Sequence, residues 1–277
     1  MAPRPQTSPH APEPLTPVAS SFATVPVLGM PLTAIDYDGT MEWMDAAVAA
    51  RHRGSICVAT VHVVVRSQDD PELRAAMLAS SLIVPDGQPL VWAMNALGGA
   101  GLGDRVYGPE LMDRYCARTA GTGVRHYLYG GRSQGALADL ADVLRRRHPG
   151  LQIVGGHRPA YRDATPEEDE AIAQEINASG ADVVWVGTGQ PRQEKWMHRL
   201  RERLDAPVLI GVGAAFDFHA GLIPQAPSWM QRAGMEWAFR LAQEPRRLWR
   251  RYAHYNPRFV AGFARQYARQ RRVRVSR

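Results

Sequence analysis

A chain of 277 residues with 45% hydrophobic content has the length of one large α/β domain, or a domain plus an appendage, and an ordinary globular composition. Its two cysteines, Cys57 and Cys116, have no metal-ligand spacing and make no disulfide framework, which points to a reducing cytoplasm, and no uninterrupted apolar run approaches the ~18 residues of a membrane-spanning helix. The net charge of +6 is unevenly placed, because Glu244 is the last acidic residue and eleven arginines follow it between Arg246 and Arg277; such a tail seeks an anionic surface.

Residues 1–25 are rich in Pro, Ser, Thr and Ala, lack the basic start and apolar core of a secretory signal, and read as a disordered leader. Ile56 to Val65 predicts a strand, and Pro71 to Ser80 a helix capped by Asp69 or Asp70. Ser81-Leu-Ile-Val-Pro85 is an apolar run that delivers Asp86-Gly87 ahead of a helix starting near Pro89. Tyr127 to Tyr129 is a strand closing on Gly130-Gly131, followed by a helix over Ser133 to His148 and a strand over Leu151 to Val154. Thr165-Pro-Glu-Glu168 opens a helix as a capping box with Pro at its first position, and Gly180 stops it. Asp182 to Gly187 and Pro207 to Gly211 are buried strands flanking a helix from Pro191 to Leu204. This rhythm predicts an α/β class with a Rossmann-like, mostly parallel sheet covered by helices on both faces, in which ligands bind at the carboxyl ends of the strands. Residues 26–235 form that domain, and 236–277 a basic, aromatic, helical C-terminal appendage.

The unusual residues fall where the topology puts a site. Asp86, at a strand end in a partly apolar cleft, can have a raised pKa and accept a proton; the plain alternative is an Asp-Gly turn. Arg105, ahead of a helix, is placed for a bidentate phosphate contact or is a solvated surface residue. The glycines after three strands, Gly130-Gly131, Gly187-Thr-Gly189 and Gly211-Val-Gly213, let backbone approach a diphosphate, but none completes G-x-G-x-x-G, which argues against a dinucleotide cofactor. The run Gly211 to Gly221 carries Asp217 and His219 and reads as the wall of a polar site. Arg240, Arg247 and Arg250 have spacings that place them on roughly one helix face.

Several ordered strings resemble the WecG/TagA/CpsF glycosyltransferases, glycosyltransferase family twenty-six, over roughly residues 26 to 260. Pro85-Asp86-Gly87, between Asp70-Pro-Glu-Leu-Arg74 and Pro89-Leu-Val-Trp92, is similar to the segment bearing the family's catalytic Asp. Asp104-Arg105-Val-Tyr-Gly108-Pro-Glu-Leu-Met112 resembles a further motif, as does Gly187-Thr-Gly-Gln190-Pro-Arg-Gln193-Glu194-Lys-Trp196. The chain departs from the family's Thr-x-Asn, with Val58 and Thr60 at those positions and His62 nearby. The resemblance implies an inverting hexosyltransferase that takes a UDP-sugar donor and a polyprenyl-diphosphate-linked acceptor, with no metal or other cofactor. It further implies Asp86 as base, Thr60, Arg105, Gly130, Gly131 and Gln193 around the substrates, and Arg240, Arg247 and Arg250 closing over a leaving diphosphate. Some members of the family self-associate, so a homo-oligomer is among the expectations.

Beyond the arginines, Trp249, Tyr252, Phe259, Phe263 and Tyr267 interleave with positive charge, and Asn256-Pro257 is placed to restart a helix. The pattern suits a membrane surface better than nucleic acid, for which no recognised module precedes it; the expected location is cytoplasmic, on the inner face of the membrane. Two other readings compete. Leu32-Thr-Ala-Ile-Asp36-Tyr-Asp38-Gly39-Thr40 matches the opening of haloacid-dehalogenase-type phosphatases, yet the sole lysine, Lys195, lies in another motif and Asp217 lacks an acidic partner. A non-enzymatic membrane-binding module explains the tail but leaves Asp86, Arg105 and Gln193 as coincidences.

Overall fold

The computed structural model describes residues 22–275, so the expected leader lies almost wholly outside the described residues. An antiparallel hairpin, β1 (Thr24–Val27) and β2 (Met30–Thr33), leads into α1 (Tyr37–Ala49). The chain then runs through β3 (Gly54–Ala59), α2 (Val61–Arg66), α3 (Pro71–Leu78), β4 (Leu82–Pro85), α4 (Gln88–Gly98) and α5 (Gly108–Thr119). Next come β5 (Arg125–Gly130), α6 (Gln134–Arg147), β6 (Gln152–His157), α7 (Pro166–Ser179), β7 (Val183–Gly187), α8 (Arg192–Leu200) with a 3₁₀ turn over Arg201–Arg203, and β8 (Val208–Gly211). The last four helices are α9 (Ala215–His219), α10 (Ser228–Arg232), α11 (Glu236–Gln243) and α12 (Pro245–Val275).

Six strands pair in parallel in the order β4-β3-β8-β7-β5-β6. The connection from β3 to β4 runs outward one way and that from β5 to β6 the other, so a crevice opens above the carboxyl ends of the middle strands. Both faces of the sheet are buried, which is why its strands read as continuous apolar runs. Ile56, Val58, Trp185 and Ile210 face α1, α5 and α6. On the other face Cys57, Ala59 and Ile83 meet the hairpin, α2 and α4, while Tyr127, Val184, Val186 and Leu209 meet α7 and α8.

The local signals work as read. Asp70 caps α3 by accepting from Leu73 N at 3.0 Å, Ser133 caps α6, and Thr165 with Glu168 closes a capping box on α7, which ends at Gly180 with φ 64°. Two expectations fail. The strand expected to reach Val65 ends at Ala59, and Val61–Arg66 turns into a helix that buries Val63, Val64 and Val65 in the hairpin cluster. Burial there overrides the β preference of the valines. The restart expected at Pro257 does not occur, because α12 continues unbroken through it. Tyr255, Phe259 and Phe263 pack on the hairpin cluster, and Arg258 pairs with Asp69 at 2.5 Å. These contacts hold both sides of a position where an interior proline costs about 3 kcal/mol. They also turn the aromatic face of α12 toward protein: Phe259 is buried, and the side chain of Gln266 brackets the hairpin turn, accepting from Leu28 N and donating to Pro26 O.

Candidate active site

All six strands of the sheet send residues to one cleft of about 1310 Å³. Asp86 enters after β4, fixed by a backbone bond from its N–H to Ala59 O at 2.8 Å. Its Oδ1 accepts from the N–H of Gly108, the first residue of α5, at 3.1 Å, and Oδ2 receives no hydrogen bond among the described residues. Burial pushes the carboxyl up to about 7; the Arg105 charge opposes this shift and the Glu236 charge adds to it. A carboxylate of that basicity with one oxygen open to a cleft can take a proton from a hydroxyl at neutral pH.

Arg105 does not reach the cleft. Its guanidinium pairs with Glu236 at 2.7 Å, donates to Gln231 Oε1 at 2.9 Å and lies 4.1 Å from the Tyr107 ring centroid. The phosphate contact expected of it is therefore not made by this geometry; it lies behind Asp86 and ties α11 to the core.

Thr60 does face the cleft. Its hydroxyl donates to Gln190 Oε1 at 2.7 Å, while Gln190 Nε2 donates to Val58 O at 2.8 Å. The Val58 carbonyl accepts only, so it fixes the Gln190 amide, and the Thr60 oxygen then presents lone pairs to the cleft. Gln193 is held similarly: its Nε2 donates to Glu194 Oε1 at 3.0 Å, leaving Oε1 buried without a partner. A Cβ on Gly211 would stand 2.7 Å from Gln193 Nε2, so that glycine makes room for the amide. Glu194, read from sequence as favouring a helix N-terminus, is indeed in the first turn of α8, but it is also fully enclosed, and burial pushes its carboxyl up to about 7. Thr188 adds a further buried hydroxyl without a partner on the cleft wall.

The two glycines after β5 divide their roles. A Cβ on Gly130 would meet the Gly187 backbone at 2.6 to 2.9 Å, so Gly130 serves the close approach of β5 and β7, whereas Gly131 lines the cleft. Asp217 also lines it, paired with Arg132 at 3.0 Å. His219 lies behind the wall, with Nε2 2.8 Å from Pro109 O.

Arg240 from α11 meets Arg247 and Arg251 from α12 on the cleft. Arg250 does not join them: it is exposed, with its guanidinium 5.5 Å from the Trp249 ring centroid. Within α12, Arg250 lies about 60° to one side of Arg247 and Arg251 about 40° to the other, and the Arg251 side faces the cleft. Arg251, one turn beyond Arg247, takes the inward position. Burial holds its guanidinium below the usual range, and Arg240 and Arg247 push the same way. Arg240 Nε and Arg251 Nε are buried donors without acceptors, an arrangement that awaits an anion.

Among the described residues no group of three His, Cys, Asp or Glu side chains is arranged as a metal site, and no helix is long and apolar enough to cross a membrane. Asp36 of the phosphatase-like string caps α1, accepting from Gly39 N at 2.9 Å, and Asp38 sits in the first turn. Both follow an antiparallel hairpin and stand outside the cleft, which removes the phosphatase reading. Compared with known families, residues 25–273 match the Glycosyl transferase WecG/TagA/CpsF family. That match takes in the hairpin, the sheet and nearly all of α12, and the chain therefore belongs to the WecG/TagA/CpsF family of glycosyltransferases, enzymes of cell-surface polysaccharide biosynthesis.

Proposed function

We propose that the enzyme is an inverting transferase that moves a hexose-type sugar from a UDP-sugar to a polyprenyl-diphosphate-linked acceptor at the cytoplasmic face of the membrane. The observation that carries this reading is the placement of a neutral-range carboxyl, Asp86, and three converging guanidinium groups, Arg240, Arg247 and Arg251, on one cleft. Asp86 takes the proton of the acceptor hydroxyl as its oxygen attacks the anomeric carbon. The bond to the diphosphate breaks on the opposite side, and the arginines stabilise the charge that leaves with UDP. Gln193 Oε1, Thr60 Oγ1 and Thr188 Oγ1 are disposed to meet hydroxyl or N–H groups of the donor. At the far end Tyr161, beneath Arg192 and largely exposed, offers an aromatic face to a base. Residues 26–235 form the catalytic domain in this reading, and 236–277 the appendage that completes it.

The test is transfer of radiolabelled sugar from a panel of UDP-sugars to a lipid-linked acceptor. Asp86→Asn is expected to lower kcat by about 10² to 10⁴ while UDP binding is retained. Full activity in that variant removes Asp86 from the role of base.

A further inference from the structure

Of the seven tryptophans in the chain, Trp43, Trp185 and Trp196 are buried in the core. The other four, Trp92, Trp229, Trp237 and Trp249, are 43 to 57% exposed. All four lie on α4, α10, α11 and α12, the helices beside and above Asp86. These helices adjoin one another: α10 touches α11, α11 touches α12, and α12 touches α4. The Trp92 ring reaches across to Gly234, where an added Cβ would stand 2.9 Å from its Cη2, and Trp237 meets Tyr252 edge-on at 5.8 Å. Met235, between them, is exposed as well. A soluble surface rarely leaves this much aromatic area uncovered in one place.

The charge around the tryptophans is mostly positive, with Asp104 and Glu110 at its margin in a small pocket shared with Arg232. Arg232, Arg246 and Arg250 are exposed and have no ion-pair partner among the described residues. Of the nearby acids, Glu236 is engaged with Arg105, Glu244 with Arg247 and Glu110 with Arg114, Asp104 accepts from the Arg105 N–H, and no acidic residue follows Glu244. The aromatics of α12 to which the sequence pointed are, by contrast, largely spent on the hairpin cluster. Indole rings with unpaired guanidinium groups match the headgroup layer of an anionic bilayer, where the ring sits at the polar boundary and arginine meets phosphate.

We infer that Trp92, Trp229, Trp237 and Trp249, with Arg232, Arg246 and Arg250, form the surface on which the enzyme rests on anionic lipid. This deepens the proposed function and rests on its lipid-linked acceptor, because it places the membrane beside Asp86 rather than at the distal end of α12.

The test is sedimentation of the full chain with sucrose-loaded vesicles, of phosphatidylcholine alone or mixed with phosphatidylglycerol, and tryptophan quenching by brominated lipid. The wild type is expected to partition onto the mixed vesicles with quenching. The combined Trp229→Ser, Trp237→Ser, Trp249→Ser variant should bind at least about tenfold more weakly. Arg232→Gln, Arg246→Gln, Arg250→Gln, which leaves the packed core untouched, should also lose about tenfold or more, so a folding defect in the tryptophan variant does not decide the matter. Arg265→Gln with Arg269→Gln, on the distal part of α12, should bind within about twofold of wild type. Unchanged partition of both patch variants, or loss only in the distal variant, overturns the inference. So does a lipid-free oligomer that the tryptophan variant dissociates, since a second copy then covers the patch. Transfer to a short-chain, water-soluble acceptor should be unaltered in the tryptophan variant; absence of transfer in wild type counts against the proposed reaction and leaves the partition result standing.

Discussion

Arg105 and Glu236 form a buried ion pair at 2.7 Å that joins the loop before α5 to the first turn of α11. It thereby couples the element that completes the cleft to the charge around Asp86. Arg105 draws the Asp86 pKa down and Glu236 draws it up. Exchanging either for a neutral residue of similar size should move the rising limb of kcat/KM against pH in opposite directions. Glu236→Gln should shift it to lower pH and Arg105→Gln to higher pH, each on the order of one unit. Arg105→Gln should also lower the melting temperature, since an uncompensated buried carboxylate costs about 3 to 5 kcal/mol. Parallel shifts in the two variants contradict this coupling.

A second prediction concerns the direction in which Gln193 faces. Glu194 Oε1 accepts from Gln193 Nε2, which holds the amide nitrogen and turns its oxygen outward. Glu194→Gln removes that constraint. Donor KM should rise about tenfold, the equivalent of one lost hydrogen bond to a ligand, with kcat little changed. Gly211→Ala should give the same signature, because its methyl group would press on the Gln193 amide at 2.7 Å. A fall in kcat at constant KM places Gln193 at the transition state instead.

The strands of the parallel sheet, the helix caps and the carboxyl-end placement of Asp86 were legible because each depends on local chemistry or on a short continuous apolar run. What escaped depends on contacts distant in sequence. The valines of α2 look like strand because nothing local reports the hairpin and Phe259 that bury them. Gln190 gave no signal, since its value lies in reaching Thr60 and Val58 on another strand end. The choice between Arg250 and Arg251 turned on which side of α12 faces the cleft, since the two flank Arg247 on the same helix. Arg105 stood out in the sequence as a phosphate ligand, but its partner in the structure, Glu236, comes from the far end of the chain.

The side that α12 turns to the cleft makes a prediction that separates the arginines. Arg240→Ala and Arg251→Ala each remove a cleft guanidinium whose Nε lacks a protein acceptor. Each should cost about 10² in kcat, the scale of losing one donor to developing negative charge. Arg250→Ala should stay within about threefold of wild type when the acceptor is water-soluble, since that side chain lies outside the cleft. An Arg250→Ala loss equal to the others shows instead that α12 turns its Arg250 side toward the cleft when substrate binds.

Asp86 and Glu194 should also set how stability depends on pH. Both are raised to about 7 by burial, whereas unfolded carboxyls titrate near 4. Between those limits the folded state keeps protons that the unfolded state has released. Their stabilising contribution is complete below about pH 4 and declines as pH rises toward about 7. His62 and His126, lowered by burial to about 3 and about 4, act in the opposite sense: their contribution is present above about pH 6.5 and is lost as pH falls through the folded values. The histidines are common to wild type and to the double variant Asp86→Asn, Glu194→Gln, so they cancel in the comparison. Relative to wild type, the double variant should therefore gain stability between about pH 5 and about pH 8, by an amount on the order of a few kcal/mol. Urea titrations at the two pH values measure this gain directly. A difference that does not change with pH means that both carboxyls titrate in the ordinary range, and Asp86 then loses the basicity from which its role was derived.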